Sequence, residues 1–356
     1  MAERPYRWIA YIGCRTSLER NARGKGLCVY GVDAAGRWEF IQRVEGLVNP
    51  SFLCLDAAQS RLYCVHGDFS EVSSFAIEPG SGRLRQTGRQ YTGGRNPVHL
   101  TLSTSQQWLL VANYASGNIV SLPVKLDGTL GSLASSIDLP GQHGPRAEQQ
   151  GSHPHQLCLD PTGRWILVPD KGLDKVFTLS LPEASGALTI TGETSFPAGS
   201  GPRHMIFHPR AARAYVVGEL DRTVMTCEFS PADGQLVLDD VTSTVPPGVE
   251  TGSAAGIAIS GSGEFLHVSN RGHDSIASYL IDQETGRLSG RTWSVTSGRT
   301  PRFVCATPDG QHLLVANEDS DSVACAALGA GTEPLIFHSL VETGSPVCIA
   351  FKKAFP

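Results

Sequence analysis

The sequence contains no long apolar run and no low-complexity block, so no segment reaches the roughly 18 apolar residues that a membrane-spanning helix takes. It has no Lys/Arg-rich stretch and a formal net charge of −5, which argues against nucleic acid or an anionic membrane as the main partner. No phosphate-cradling glycine loop, zinc-ligand spacing or nucleophile elbow is present, and with them go nucleotide hydrolysis, zinc chemistry and serine-esterase chemistry. Nine cysteines form an odd set without a C-x-x-C pair, and Cys28, Cys54, Cys64, Cys158 and Cys305 sit inside apolar runs. They read as reduced packing thiols. The opening "MAERPYRW" lacks the basic segment and apolar stretch of an export signal, so the expected location is cytoplasmic. What remains as a partner is a small molecule or another protein.

What is present is globular in kind, with 40% hydrophobic and 18% charged residues over 356 positions. That length predicts two or three domains unless the fold is a repeat. A repeat is there. The segments "NPSFLCLD", "NPVHLTLS", "HPHQLCLD", "GPRHMIFH", "SAAGIAIS", "TPRFVCAT" and "SPVCIAF" recur along the chain. Their markers are Pro50, Pro97, Pro154, Pro202, Ala254, Pro301 and Pro346, spaced 47, 57, 48, 52, 47 and 45 residues apart. Each is followed by a turn such as "DPTGR", a second strand such as "WLLVAN", a third such as "SIASYLI", a DxxxGxL turn and a weaker fourth strand. Four short strands per period predict an all-β, seven-bladed β-propeller with four antiparallel strands per blade. The C-terminal "SPVCIAF" is only a first strand, whereas "RWIAYIG" and "GLCVYGV" resemble second and third strands. Pairing the two termini in one blade closes the sheet edge and makes residues 1–356 a single domain.

Strand alternation brings the start of each first strand and the end of each second strand to one face, around a central funnel. Directly after the markers come Ser51, Val98, His155, Arg203, Ala255, Arg302 and Val347, then Phe52, His99, Gln156, His204, Gly256, Phe303 and Cys348. Sixteen residues after each marker stand His66, Asn113, Asp170, Gly218, Asn270 and Asn317, with Gly13 as the N-terminal equivalent. One residue further are Gly67, Tyr114, Lys171, Glu219, Arg271 and Glu318, with Cys14 completing that ring. The opposite face carries ordinary turns such as "STSQQ" and "SGSGE". Ionisable residues at the entrance of buried strands therefore mark one face as the candidate site. His153 and Asn96, which precede proline, and the three asparagines also admit a structural reading as loop-shaping groups. His208 reads as a turn residue on the other face.

The motifs "YIGCRTS", "GSHPHQLCLDPTGR", "GPRHMIFHP", "YVVGELDRTV" and "SNRGHDSIASYLID" resemble the seven-bladed propeller lactonase family over essentially the whole chain. That family includes cytoplasmic 6-phosphogluconolactonases of the bacterial propeller type and fungal 3-carboxy-cis,cis-muconate lactonising enzymes. The resemblance implies a channel site built from His155, Arg203, Glu219 and Arg271. It implies hydrolysis of a sugar lactone, 6-phosphogluconolactone first, or alternatively the lactonising cycloisomerisation of a carboxymuconate. Departures stand at His66 and Gly67, where many relatives have Asn-Glu, and at Lys171 of "PDKGLDKV".

On the hydrolytic reading His155 is a general base and Arg203 an oxyanion stabiliser. Glu219 orients either of them or acts as the acid/base itself. Arg271, Arg302 and Lys171, with His99, His153, His204 and Asn113, form the substrate-binding set for a small anionic lactone or carboxylate. No cofactor and no metal are expected. Against that stand a calcium-dependent alternative using Glu219, Asn113, Asp170, Asn270 and Asn317, and a non-enzymatic interaction platform. The extra residues in the longest period, "GQHGPRAEQQGS" at 141–152, are expected to form a flap over the mouth.

Overall fold

The computed structural model describes residues 6–329, 331 and 333–354; the first five residues of the segment read for an export signal lie outside them. Seven four-stranded antiparallel sheets follow one another, and among the described residues helix is limited to two single 3₁₀ turns, Leu18–Arg20 and Glu318–Ser320. Blades 1 to 6 begin at Pro50–Leu55, Pro97–Leu102, Cys158–Leu159, Pro202–Phe207, Ser253–Ile259 and Pro301–Ala306. In blade 7 the C-terminal strand Pro346–Lys353 lies innermost and pairs antiparallel with Trp8–Cys14, followed by Leu27–Val32 and Trp38–Val44. The predicted closure by the two termini is the one observed.

Burial explains the strand pattern. Second and third strands are covered on both faces, as in Leu27–Val32 with every residue buried, whereas fourth strands such as Trp38–Val44 face solvent and read weakly. The core is a series of interblade clusters, for example Tyr11, Leu27, Leu62, Phe75 and Leu84 between blades 7 and 1. Each such side chain contributes roughly 1.5–3 kcal/mol by leaving water.

Blades also interlock through one recurring bond. The hydroxyls of Tyr11, Tyr63 and Tyr215 donate to the carbonyls of Gly82, Gly128 and Gly286 at 2.9, 3.0 and 2.9 Å. Those glycines sit in the outer turns with φ of +70, +82 and +73°, where a side chain is strained. The GxL turn before the fourth strand, of which DxxxGxL at Asp282–Leu288 is one form, is thus a docking point for the neighbouring blade. All nine cysteines are free.

Candidate active site in the central funnel

A bulge follows each marker. In blades 1, 2, 4, 5 and 6 the register between first and second strand shifts immediately after Pro50, Pro97, Pro202, Ala254 and Pro301. In blade 7 it shifts where Pro346 meets Cys14. Blade 3 goes further: Pro154 bridges Asp170, and ladder pairing resumes only at Cys158. A bulge takes a side chain out of the alternation and re-aims it. Accordingly Ser51, Val98, His155, Arg203, Arg302 and Val347 line a single cavity together with Arg15, Phe52, His204 and Phe303. The seventh position, Ala255, supplies a carbonyl that accepts from Arg203 at 2.7 Å.

The second ring is corrected at one blade. Because Pro346 pairs with Cys14, Cys14 occupies the place of His66 and Asn113, and the ring residue is Arg15, not Cys14. Cys14 is buried instead against Thr343, at 3.6 Å. The ring therefore reads Arg15, Gly67, Tyr114, Lys171, Glu219, Arg271 and Glu318. Six of its backbone N–H groups are held in one way: those of Arg15, Gly67, Tyr114, Lys171, Glu219 and Glu318 donate to Ser345, Asn49, Asn96, His153, Gly201 and Thr300 at 2.9–3.1 Å.

Glu219 is the hub of one half-ring. Lys171 Nζ and Arg271 approach its Oε1 at 3.0 and 3.1 Å, and Arg203 Nε its Oε2 at 2.9 Å. Burial pushes the Glu219 carboxyl up, but Arg271, Lys171 and Arg203 overcome it and hold the group well below the usual carboxylate range. Lys171 also donates to the Tyr114 hydroxyl at 3.2 Å. On the other side Glu318 takes Arg15 Nε at 2.9 Å and Arg302 at 3.4 Å, while Arg15 reaches Asp68 at 3.3 Å. Asp68 is shared with Arg20. Arg15, Lys171, Arg203, Arg271 and Arg302 outnumber the carboxylates that face them. The funnel is electropositive in a chain of net charge −5.

The imidazoles beneath the ring are neutral. Burial first, then Arg203, Arg302 and Lys171, hold His155 well below the ordinary histidine value; burial and Arg203 do the same to His204. His99 is pushed down to about 3 by burial and Arg203. The rings touch edge to face, His155 to His204 at 5.1 Å between centroids and His99 to His204 at 6.1 Å. His99 Nδ1 accepts the Leu157 N–H at 3.3 Å, which leaves the proton on Nε2.

Several buried polar atoms here lack an aligned hydrogen-bond partner: Arg15 Nε, Arg203 Nε, Arg271 Nε, His155 Nδ1 and Ser51 Oγ. Arg15 and Arg203 lie 2.9 Å from carboxylate oxygens, yet their Nε–H bonds are not aimed at them. Buried donors left so are costly in a pure scaffold. The cavity that Arg15, Arg203, His155 and Ser51 border offers about 20 Å³ to a water-sized sphere, enough for one water molecule.

Other expected site residues lie elsewhere. Asn113, Asn270 and Asn317 donate their amides to the carbonyls of Thr92, Thr244 and Thr296 at 3.0, 2.8 and 3.2 Å, shaping interblade loops. Asp170 Oδ1 caps the backbone N–H groups of His153, Gly172 and Leu173. Of the oxygen donors of the calcium alternative, Asp170 Oδ1, Asn270 Oδ1 (from Thr244 Oγ1 at 2.6 Å) and Glu219 are engaged, whereas Asn113 Oδ1 and Asn317 Oδ1 have no hydrogen-bond partner. His153 stacks on Tyr114 at 4.5 Å and bonds the Tyr114 carbonyl at 2.9 Å, next to the ring but outside the cavity. His208 turns away to Gly263 on the opposite face. Residues 141–152 are pinned beside the mouth: Gln149 Nε2 donates to the Lys171 carbonyl at 2.9 Å and to Asp174 at 2.7 Å. Together with Ala115–Gly117 the loop borders a groove of about 630 Å³. Sequence reasoning missed Arg15, Tyr114 and Glu318 as site residues; the ring position of Tyr114 and Glu318 was the available signal.

A sequence model described as "Lactonase, 7-bladed beta-propeller" matches residues 9–351. A 6-phosphogluconolactonase of Bacillus subtilis is 32% identical over 309 residues, covering 86% of this chain and 88% of the relative. The chain belongs to the seven-bladed β-propeller lactonase family. Another relative of this lactonase, a 6-phosphogluconolactonase of Formosa agariphila, is 28% identical and covers 90% of each chain. The lactonase superposes on the periplasmic gluconolactonase of Pseudomonas aeruginosa with a TM-score of 0.88 and 28% identity, covering 98% of this chain and 99% of that one. No described helix of the lactonase is long and apolar enough to cross a membrane. Its funnel brings together unprotonated imidazoles, room for one water and several guanidinium groups.

Proposed function

We propose that the chain hydrolyses an anionic sugar lactone in the central funnel, with 6-phosphogluconolactone as the substrate to try first. The observation that carries this reading is the set of buried polar atoms without an aligned partner, Arg15, Arg203 and Arg271 Nε, His155 Nδ1 and Ser51 Oγ, gathered around an electropositive funnel. In the proposed reaction a water at the floor gives its proton to His155 as its oxygen attacks the lactone carbonyl. Arg203 stabilises the resulting oxyanion. The ring C–O bond then breaks, the imidazolium returns the proton to the departing alkoxide oxygen, and an open-chain hydroxy acid leaves.

His155 suits the role of base in one respect and needs help in another. It is unprotonated at neutral pH because burial and the neighbouring cations disfavour its charge, and that same field makes it a weak base. An anionic substrate offsets the field and raises its proton affinity in the complex. Glu219 is too firmly ionised by its three cations to serve as the base; its role is to hold Arg203 and Lys171 in place. Since those cations already satisfy Glu219, turnover is expected to resist chelators. A reducing, cytoplasmic setting suits nine unpaired thiols.

The test is the rate of 6-phosphogluconolactone hydrolysis above its spontaneous background, with and without a chelator. Chelator-resistant turnover supports the reading. Absence of turnover sinks this substrate and makes carboxymuconates the next assay.

A further inference from the structure

Seven ring positions surround the funnel mouth, and one is empty of side chain. In blade order the ring runs Arg15, Gly67, Tyr114, Lys171, Glu219, Arg271, Glu318, and contacts link Tyr114 to Lys171 to Glu219 to Arg271, and Glu318 to Arg15. These contacts leave two breaks, between Arg271 and Glu318 and at Gly67, and only the second is a position without a side chain. A Cβ built there meets Ser51 Oγ at 3.0 Å, so Gly67 lies over Ser51, whose hydroxyl is buried and unpartnered.

The cations differ in what they have left to give. Lys171 contacts both Glu219 and the Tyr114 hydroxyl, and Arg271 contacts both Glu219 and the Ala254 carbonyl, at 3.1 Å each. Neither lines the cavity, whereas Arg15 and Arg302 share it with Ser51, His155 and Arg203. Among the described residues the hydrogen bond of the Arg302 side chain is a long one, 3.4 Å to Glu318. Arg15 Nε has no aligned partner. A guanidinium carries five donors; Arg302 keeps most of its own free of the contact to Glu318, and Arg15, although it faces Glu318 and Asp68, borders the cavity that Arg271, whose Nε is likewise unaligned, does not reach. The floor itself has room for a water and no more, so a phosphoryl or carboxylate group belongs above it, at their level.

We infer that Arg15 and Arg302, with Ser51 below the gap at Gly67, bind the anionic group of the substrate, and that Lys171 and Arg271 act instead as positioning residues for Glu219. This rests on the lactonase reading and names the groove within it that reads charge. Burial and the neighbouring Arg302 push the Arg15 guanidinium down to about 9, consistent with two like charges held close until an anion joins them.

The experiment compares kcat/KM on 6-phosphogluconolactone and on uncharged glucono-δ-lactone for wild type, Arg15→Met, Arg302→Met and Arg271→Met, with thermal unfolding of each. Losing a charge-assisted bond to an anion is worth about 10- to 100-fold. Arg15→Met and Arg302→Met are each expected to lower the charged-to-neutral preference by at least about tenfold, through KM. Arg271→Met is expected to lower kcat on both lactones alike. A charge-selective loss in Arg271→Met, or equal losses on both lactones in Arg15→Met, overturns the assignment. If Arg15→Met fails to fold, Arg15→Lys, which keeps the charge toward Glu318 and Asp68 but not the fork, decides: a KM rise confined to the phosphorylated lactone supports the subsite and unchanged KM overturns it. If wild type hydrolyses neither lactone, the lactonase reading fails separately. Calorimetry with 6-phosphogluconate and gluconate then judges the subsite: preference for the phosphorylated acid, lost in Arg15→Met, supports it, and absent or equal binding overturns it.

Discussion

The two faces of the disk use the same residue types for opposite ends. On the face away from the funnel, carboxylates such as Asp160 and Asp282 bond within their own turn: Asp160 accepts from the N–H groups of Thr162 and Trp165 at 2.9 and 2.7 Å, and Asp282 from those of Glu284 and Thr285 at 3.1 and 2.7 Å. At the funnel mouth Glu219 draws partners from three blades, Arg203 from its own and Lys171 and Arg271 from the two beside it, and key donors stay unaligned. Buried polar atoms without a partner also occur elsewhere, as at Trp8 Nε1, Thr226 Oγ1 and His267 Nε2; what marks the funnel is that Arg15, Arg203, His155 and Ser51 gather such atoms around one cavity.

Changes that strike the mouth should cost activity, and changes on the other face should cost only stability. The largest contrast is expected between Arg203→Met and Asp160→Asn. Removing a donor to the developing oxyanion typically lowers kcat by about 10²–10³, whereas Asp160→Asn should leave steady-state kinetics on 6-phosphogluconolactone intact and reduce stability by about 1–3 kcal/mol in denaturant titrations. Next comes Glu219→Gln. It strands three cations around a neutral amide, and breaking a buried ion cluster in this way destabilises by about 3–5 kcal/mol, measurable as a lower urea midpoint together with loss of turnover.

Acid should weaken the fold through the histidines. His99 is pushed down to about 3 and His267 to about 4, each chiefly by burial, so the unfolded chain takes up protons below its ordinary histidine pKa of about 6.5 while the folded chain does not. Stability is therefore fully present above about pH 7 and falls as pH drops below 6.5. His267, which bonds Ser278 at 2.9 Å and lies outside the funnel, isolates the effect: His267→Gln should flatten the urea-midpoint dependence between pH 7 and 5, by about 2 kcal/mol at pH 5, with kinetics unchanged. An undiminished slope would remove burial of that imidazole as a cause. The smallest effect is expected for Gln149→Ala, which loosens the 141–152 loop from the Lys171 carbonyl: about 1 kcal/mol of stability and no change in kcat. A large rise in KM would instead give that loop the role of a flap.

The repeat was legible because one proline-marked segment opens almost every blade, and closure was legible because the terminal segments are complementary fractions of a blade. The inner ring could be read for a related reason: the bulge lies immediately after the marker, so residues such as His155, Arg203 and Arg302 announce themselves by position. The outer ring was read one residue out at Cys14, since Trp8–Cys14 carries no marker and takes its register from Pro346, nearly the whole chain away. Asn113 and His153 share positions with site residues but turn to interblade carbonyls, a distinction that depends on packing between blades. The reserve of donors on Arg15 and Arg302 likewise arises from distances between elements remote in sequence.

The most direct measurement is a crystal structure with 6-phosphogluconate bound, compared with the larger groove beside residues 141–152 as the competing location. The account predicts the acid in the funnel, its carboxylate over Arg203 and His155 and its phosphate against Arg15 and Arg302 below Gly67. The acid seated in the groove lined by Asp138, Glu148 and His153, with the funnel holding only water, would contradict it.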